Sequence, residues 1–139
     1  MSIMEARVIH ASIARPWHNV YAFAANPLTM SRWASGLSDG LRRDGDAWLT
    51  SGPLGEARVR FAPPNDFGVI DHLVTMPDGR QVNNAMRVVA NGDGAEVMFL
   101  LLRQPSMSDA DFERNAQWVM KDLRTLKELM ERDDHGPEG

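Results

Sequence analysis

The chain contains no cysteine, which excludes disulfides, thiolate nucleophiles and cysteine-ligated metals. It has no cluster of Lys and Arg, and its formal net charge is −4, so neither nucleic acid nor an anionic membrane is an expected partner. No apolar run approaches the ~20 residues of a membrane span, and the N-terminus lacks the basic-then-apolar profile of a leader. A cytoplasmic location is the expectation. His10, His18, His72 and His135 show no metal-ligand spacing, with neither a His-x-His nor a His-Glu-x-x-His arrangement, so no metal is expected. No cofactor is expected either. Gly92-Asp93-Gly94 reads as a hairpin turn rather than a phosphate loop, and a nucleophile elbow is missing. What remains is an ordinary globular composition, 139 residues at 43% hydrophobic and 24% charged, enough for one domain that buries about two-thirds of its unfolded surface.

The strongest periodic signal is at the C-terminal end. Phe112, Ala116, Val119, Leu123, Leu126 and Met130 follow the alternating spacing of an α-helical seam, which no strand can reproduce. Trp118, Met120 and Leu129 widen the stripe. Ser108 is the expected N-cap, Asp109 and Asp111 suit the first turn, and Met107 with Phe112 stands where a hydrophobic staple would form. Arg124 with Glu128, Lys127 with Glu131 and Glu128 with Arg132 are i,i+4 pairs on a solvated face. A helix over 108–132 is roughly 35 Å long and needs a cover of similar length. No other segment offers a helix of that size, so the cover is expected to be a curved sheet. The tail 133–139 is expected to fray.

Before that helix, Met4–Ile13 alternates as a strand. Pro16 suits the first position of a short helix bearing Trp17, Val20, Tyr21 and Ala24 on one side, and Asn26-Pro27 stops it. Leu28–Ala34 reads as a second short helix ending near Gly36. From Leu37 onward the texture is that of an antiparallel meander. Its strands are Leu37–Arg43, Ala47–Ser51, Glu56–Phe61, Phe67–Met76, Gln81–Ala90 and Ala95–Arg103, with turns at Asp44-Gly45, Pro53 to Gly55, Pro63 to Asp66, Asp78-Gly79 and Asn91 to Gly94. In the hairpin of the fourth and fifth of these strands, Ile70, His72, Val74 and Met76 share the apolar parity with Val82, Asn84, Met86, Val88 and Ala90. Facing residues must lie on one side of a sheet, so even numbers pair with even numbers. A three-residue loop, Asp78-Gly79-Arg80, satisfies this and places His72 opposite Met86 inside and Asp71 opposite Arg87 outside. The last strand is apolar on both parities, which fits either a strand covered on both faces or an outer patch, through Leu100 and Leu102, that allows a homodimer contact.

The order β-α-α-β6-α resembles the helix-grip fold of the START/SRPBCC superfamily, which includes plant pollen allergens, polyketide cyclase/dehydrase-like proteins and activators of a heat-shock chaperone ATPase. The resemblance is carried by Ile13-Ala14-Arg15-Pro16 before Val20-Tyr21, by Trp33, by Phe67-Gly68-Val69-Ile70-Asp71-His72, by Asn84-Ala85-Met86-Arg87-Val88, by Arg103-Gln104-Pro105 with Met107-Ser108-Asp109, and by Asp122-Leu123 before Leu126-Lys127. It is similar to a bacterial group of unassigned activity. The resemblance implies an α+β domain in which a curved seven-stranded antiparallel sheet wraps the long helix and leaves an apolar cavity between them. It is specific as to fold and weak as to chemistry, because such proteins share a cavity and not a catalytic set.

Tyr21, Trp33, Trp48, Phe61, Ile70, His72, Asn84, Met86, Phe99, Trp118 and Val119 are the residues expected at such a cavity. Of these His72 alone could serve as an acid/base, its imidazole being sent into an apolar interior. The competing reading, a buried histidine bonded to a neighbour, is the more common. Asn84 is an inward amide that needs a partner, supplied by backbone or by a ligand. Asp71 with Arg87 reads as a structural cross-strand ion pair, and each aromatic residue could equally be core. Arg103 could neutralise an acidic ligand or simply satisfy the helix start. The expected function is therefore binding of a small apolar or aromatic molecule. Two alternatives remain open: a cyclase- or dehydratase-like enzyme using His72, and a cochaperone-like interaction module.

Overall fold

The computed structural model describes residues 3–37, 40–52 and 55–132. The expected frayed tail lies outside them. Seven strands, β1 Ala6–Ile13, β2 Arg42–Asp44, β3 Ala47–Gly52, β4 Gly55–Phe61, β5 His72–Thr75, β6 Gln81–Asn91 and β7 Gly94–Leu102, form one curved antiparallel sheet in the order β1-β7-β6-β5-β4-β3-β2. Helix α1 spans Trp17–Ala24 and helix α2 spans Asp109–Arg132.

The stripe of α2 does what its period demands. Phe112, Ala116, Leu123, Leu126 and Met130 are buried, and the last four share one core with Ile9 and Ile13 of β1, Val97 of β7 and Val20 of α1. Ser108 Oγ accepts the Asp111 N–H at 3.1 Å, so the cap forms as expected. Of the three i,i+4 pairs, Lys127–Glu131 forms at 2.7 Å, and it does more than decorate a wet face. Lys127 Nζ donates to Ser12 O and Glu131 Oε2 accepts from Ala14 N. Together they occupy backbone groups along one end of edge strand β1 that would otherwise stay open. Among the described residues neither Arg124–Glu128 nor Glu128–Arg132 forms an ion pair.

Helix α2 lies over β1 and β7, so it covers one side of the curved sheet and leaves the inner face of β3–β6 to another element. That element is the connection after α1. Instead of a second α-helix over Leu28–Ala34, the chain makes two 3-10 turns, Met30–Arg32 and Ser35–Leu37. Asn26 Oδ1 takes the Leu28 N–H and the Thr29 hydroxyl donates to Phe23 O, which holds the segment in tight turns too short to propagate an α-helix. Pro16 occupies the N-cap of α1 rather than its first helical position.

Most strand ends move by one or two residues, β1 beginning at Ala6 rather than Met4, and three features differ more from expectation. The strand expected over Leu37–Arg43 is only Arg42–Asp44, preceded by Gly40 at φ 84°. The following turn is Gly45-Asp46, with Gly45 at φ 64°, one residue later than the Asp-Gly pair suggested and with a positive φ only at its first central position, as in a type II′ turn. The strand expected from Phe67 begins only at His72, with a single bridge between Val69 and Arg87 before it. Asn65 Oδ1 accepts the N–H groups of Phe67 and Val69, Gly68 adopts φ 72°, and Phe67 projects into solvent at 78% exposure. A side-chain-bonded loop has displaced the ladder.

The even-to-even parity of the middle hairpin holds, but the register is shifted by two. His72 opposes Asn84, not Met86, and Thr75 opposes Gln81. The loop is residues 76–80, closed by Met76 N to Arg80 O at 2.8 Å and Gly79 N to Met76 O at 2.9 Å. Asp71 and Arg87 still meet, diagonally, at 2.9 Å, and Asp71 Oδ1 also accepts the Met86 N–H.

Candidate functional site

The division of the sheet between α2 and the 3-10 segment leaves a cavity of about 240 Å³. Its floor is the inner parity of four strands: Thr50 on β3, Val59 and Phe61 on β4, His72 and Val74 on β5, Asn84 and Met86 on β6, with Phe99 from β7. These positions follow from the register, in which Val59 faces Val74 and Phe61 faces His72, itself opposite Asn84. Met30, Trp33, Ala34, Gly36 and Leu37 form the roof, and Trp118, Val119, Asp122 and Leu123 of α2 close the side.

Eight of the expected residues therefore surround one space: Trp33, Phe61, His72, Asn84, Met86, Phe99, Trp118 and Val119. Trp118 does so from the rim, at 51% exposure, because it lies at the margin of the helix stripe. Tyr21, Trp48 and Ile70 fall outside the lining. The Tyr21 hydroxyl accepts the Asn65 N–H at 3.0 Å and so anchors the Asn65 loop. Trp48 lies under the Arg43 guanidinium, 5.7 Å from its ring centroid. Ile70 is core, its backbone paired with Met86. Arg103 takes the second of its two readings, donating to Met107 O and pairing with Glu5 and Asp109 at the start of α2.

The polar groups in this apolar space define its chemistry. His72 Nδ1 lies 2.9 Å from Ile70 O, and a carbonyl only accepts, so Nδ1 carries the proton and Nε2 presents a lone pair. Asn84 Nδ2 stands 3.4 Å from that nitrogen, a long contact. Burial pushes the His72 pKa below its ordinary 6.5, against the opposing pull of the Ile70 carbonyl and of Asp71. The imidazole is neutral near pH 7. Asp122 Oδ1 accepts both the Ser35 N–H at 3.2 Å and the Ser35 hydroxyl at 2.8 Å, tying the roof to α2. Burial raises its pKa more than the Ser35 bonds lower it.

Nine lining residues were not among those expected at the cavity, and two of the nine, Thr50 and Asp122, carry polar side chains. Thr50 shares the inner parity of Trp48, and Asp122 follows Trp118 by one helical turn; either spacing could have marked them. Thr50 Oγ1 and Trp33 Nε1 are buried with no hydrogen-bond partner among the described residues. A far wider trough, about 1320 Å³, runs along β1 and the outer flank of α2. It is lined by a mixture of charged, polar and apolar side chains, two of which, Arg7 and Glu113, pair with each other, so the smaller, predominantly apolar space is the better site.

A depressed histidine pKa has a signed consequence. The unfolded chain binds a proton at His72 more readily than the folded one, so this contribution to stability is present above pH 6.5 and is lost as pH falls through the folded-state value. Chemical denaturation across that window should show wild-type stability falling with pH and His72→Gln losing that slope.

No protein-family model matches the chain, and no curated protein sequence does. Solved structures do. A Cytophaga hutchinsonii protein superposes with a TM-score of 0.72 at 14% identity, covering 98% of this chain and 100% of its own. The Aha1 dimer from Colwellia psychrerythraea superposes with a TM-score of 0.71 at 13% identity, covering 92% and 97%. CalU16 from Micromonospora echinospora reaches 0.65 at 17% identity, covering 96% and 78%. The shared fold is a curved antiparallel sheet gripping a C-terminal helix. At such identities the likeness is one of fold.

Proposed function

We propose that the protein binds a small apolar or aromatic molecule in the cavity between β3–β6, the 3-10 segment and α2. The observation that carries this reading is the cavity itself, an apolar space with a few convergent polar groups at the place where the helix stops covering the sheet. An engineered cavity of about 150 Å³ accepts benzene, so about 240 Å³ has room for a second fused ring. Native mass spectrometry of freshly purified protein, compared with its denatured mass and an organic extract, tests the proposal. A retained small molecule supports it; protein that is clean and also takes up no added aromatic compound argues against it.

A second reading rests on His72. A neutral imidazole with its Nε2 lone pair turned into the cavity is suited to take a proton from carbon α to a ligand carbonyl, with the Asn84 amide available to the developing oxyanion. His72→Gln would then abolish turnover of a carbonyl substrate while leaving its binding within a few-fold. Unchanged turnover would leave binding alone.

Self-association has its own support. Val8, 57% exposed, lies opposite Leu100 on the outer face of the sheet, with Met98 and Leu102 on the same parity, and the Colwellia relative is described as a dimer. If that face joins two copies, light scattering should show Leu100→Lys as a monomer.

A further inference from the structure

We infer that the open edge of β1 takes an extended acidic peptide of a partner protein as an eighth strand of the sheet. The site is the wide trough beside α2, and it is independent of the cavity.

The sheet has two edge strands, and they are protected differently. β2 is three exposed, charged residues long, a short edge that offers little to another chain. β1 runs for eight residues, with neither Pro nor Lys in its sequence and no bulge in its register against β7, so it lacks the usual devices that blunt an edge. The phase of the ladder says which of its groups are open. Arg103 N–H donates to Glu5 O at 2.8 Å, which makes Glu5 and Arg103 a hydrogen-bonded pair, and in an antiparallel ladder such pairs recur at every second residue. Arg7, Ile9, Ala11 and Ile13 therefore turn their backbone groups to β7, while Ala6, Val8, His10 and Ser12 turn theirs outward. The contacts from α2 follow the same phase: Lys127 Nζ donates to Ser12 O, and Glu131 accepts the N–H of Ala14. They close one end. Among the described residues, nothing bonds the outward N–H and C=O groups of Ala6, Val8 and His10, a row roughly 14 Å long.

The helix supplies a wall along this row. Glu113, Gln117, Met120, Arg124, Lys127 and Glu131 share one seam of α2 by the helical period. The first of them pairs with Arg7 and the last two with Ser12 and Ala14, so Gln117, Met120 and Arg124 run beside the middle of β1. These three line the trough together with Val8, Ile9 and His10. A space of about 1320 Å³ is too wide to enclose a small molecule. A chain laid along β1 would instead gain backbone bonds on one side and helix side chains over every second residue. This is strand addition, in which main-chain bonds give affinity and alternate side chains give selectivity.

Charge selects the occupant. The trough carries Arg7, Arg114, Lys121 and Arg124 against Glu113 and Glu128. Arg7 and Arg114 are paired with Glu113 and Asp111, whereas Lys121 and Arg124 form no ion pair among the described residues. A second copy of the chain would set two such troughs together with like charges facing, which is unfavourable. A segment bearing carboxylates complements them. A phosphate backbone fits less well, because the outward carbonyls of β1 would meet its oxygens. Directly opposed residues share a face of the sheet, so peptide residues bonded to Ala6, Val8 and His10 lie on the outer face, and the acidic residues alternate with them on the side of α2.

Calorimetry of the full chain with acetyl-(Glu-Val)3-amide, and with acetyl-(Lys-Val)3-amide as its counterpart, tests this. The glutamate peptide should bind about tenfold tighter or more, weaken as salt rises, and shift the amide resonances of Ala6, Val8 and His10 most. Arg124→Glu should cost about tenfold. Val8→Pro should cost at least as much while melting near wild type, because the lost N–H points away from β7 and an edge strand tolerates such a proline. N-methylation of the peptide gives a reading that leaves the protein untouched: methyl groups on the valine nitrogens should abolish binding, and those on the glutamate nitrogens should leave it within a few-fold. Equal affinity for the two peptides, no binding of the glutamate peptide at millimolar concentration, or indifference to valine N-methylation overturns the inference. So does a dimer that Val8→Pro breaks and Leu100→Lys does not, which gives the edge to a second copy, or an oligothymidylate that shifts the same amides in place of the peptide. The cavity reading stands in each case.

Discussion

Gly68→Ala should be among the most damaging single substitutions in the protein, costing about 4 kcal/mol. A β-carbon at this position would sit 1.9 Å from Val88 O, and the backbone there holds φ 72°. The left-handed conformation alone costs an L-residue about 1–2 kcal/mol, and forcing extra volume into packed surroundings adds about 1–3 kcal/mol. The obstacle is backbone rather than a side chain that could swing aside. The strand would have to move, at the expense of the 2.9 Å bond from Val88 N to Gly68 O. Against a total stability of about 5–15 kcal/mol, this should be visible as a large drop in denaturation midpoint. Gly79→Ala is the control. It also has a positive φ, 92°, but nothing lies within 4 Å of the added carbon, so it should cost about 1 kcal/mol, the conformational part alone. Equal losses at the two glycines would show that the close approach to Val88 contributes nothing.

Val119→Trp should reduce ligand affinity on the order of a hundredfold while leaving the fold intact. Val119 sits on the helix side of the cavity beside Leu123, and an indole there would take up a large part of about 240 Å³. Losing about 110 Å² of apolar burial costs a ligand about 2.8 kcal/mol at about 25 cal/mol/Å², which at 1.4 kcal/mol per decade is two decades. Filling an open space does not incur the overpacking penalty of a closed core, so the melting temperature should hold or rise. Calorimetry with a naphthalene-sized probe and a thermal melt of the same variant measure both halves. A variant that binds as wild type does would move the site elsewhere.

The parts of the fold that could be read from the residues are those governed by a period. The stripe of Phe112, Ala116, Leu123, Leu126 and Met130 has one solution, and its burial follows. The alternation of Val59 and Phe61 against Arg58 and Arg60 likewise fixes which face of β4 is wet, and cross-strand ion pairs such as Arg58 with Asp44 confirm that outer face. Parity in the β5–β6 hairpin was legible because a one-residue slip would turn every apolar side chain outward. A slip of two costs no parity, so pattern could not choose between His72 facing Met86 and His72 facing Asn84. Backbone bonds between Met76 and residues 79–80 made that choice. The early end of regular structure before β5 had a similar origin in the Asn65 side chain, whose bonds are specific to one geometry and leave no periodic trace.

The cavity was legible in outline only. Inward parity identified Phe61, His72, Asn84 and Met86, and the helix stripe identified Val119. Thr50 and Asp122 share a face with Trp48 and Trp118, a signal present in the sequence, but that spacing marks only the face, and which polar residues on it line a cavity depends on the opposite wall. That wall is the 3-10 segment, whose path depends on capping bonds at Asn26 and Thr29 rather than on hydrophobic period.

The most direct measurement is methyl-resolved NMR of the labelled protein titrated with a naphthalene-sized aromatic probe. Shifts concentrated on Met30, Val59, Val74, Met86, Val119 and Leu123, saturating together, are the expected result and place the ligand in the cavity. Perturbations confined to Val8, Met98 and Leu100 on the outer face, or none at saturating probe, would contradict a binding site between sheet and helix.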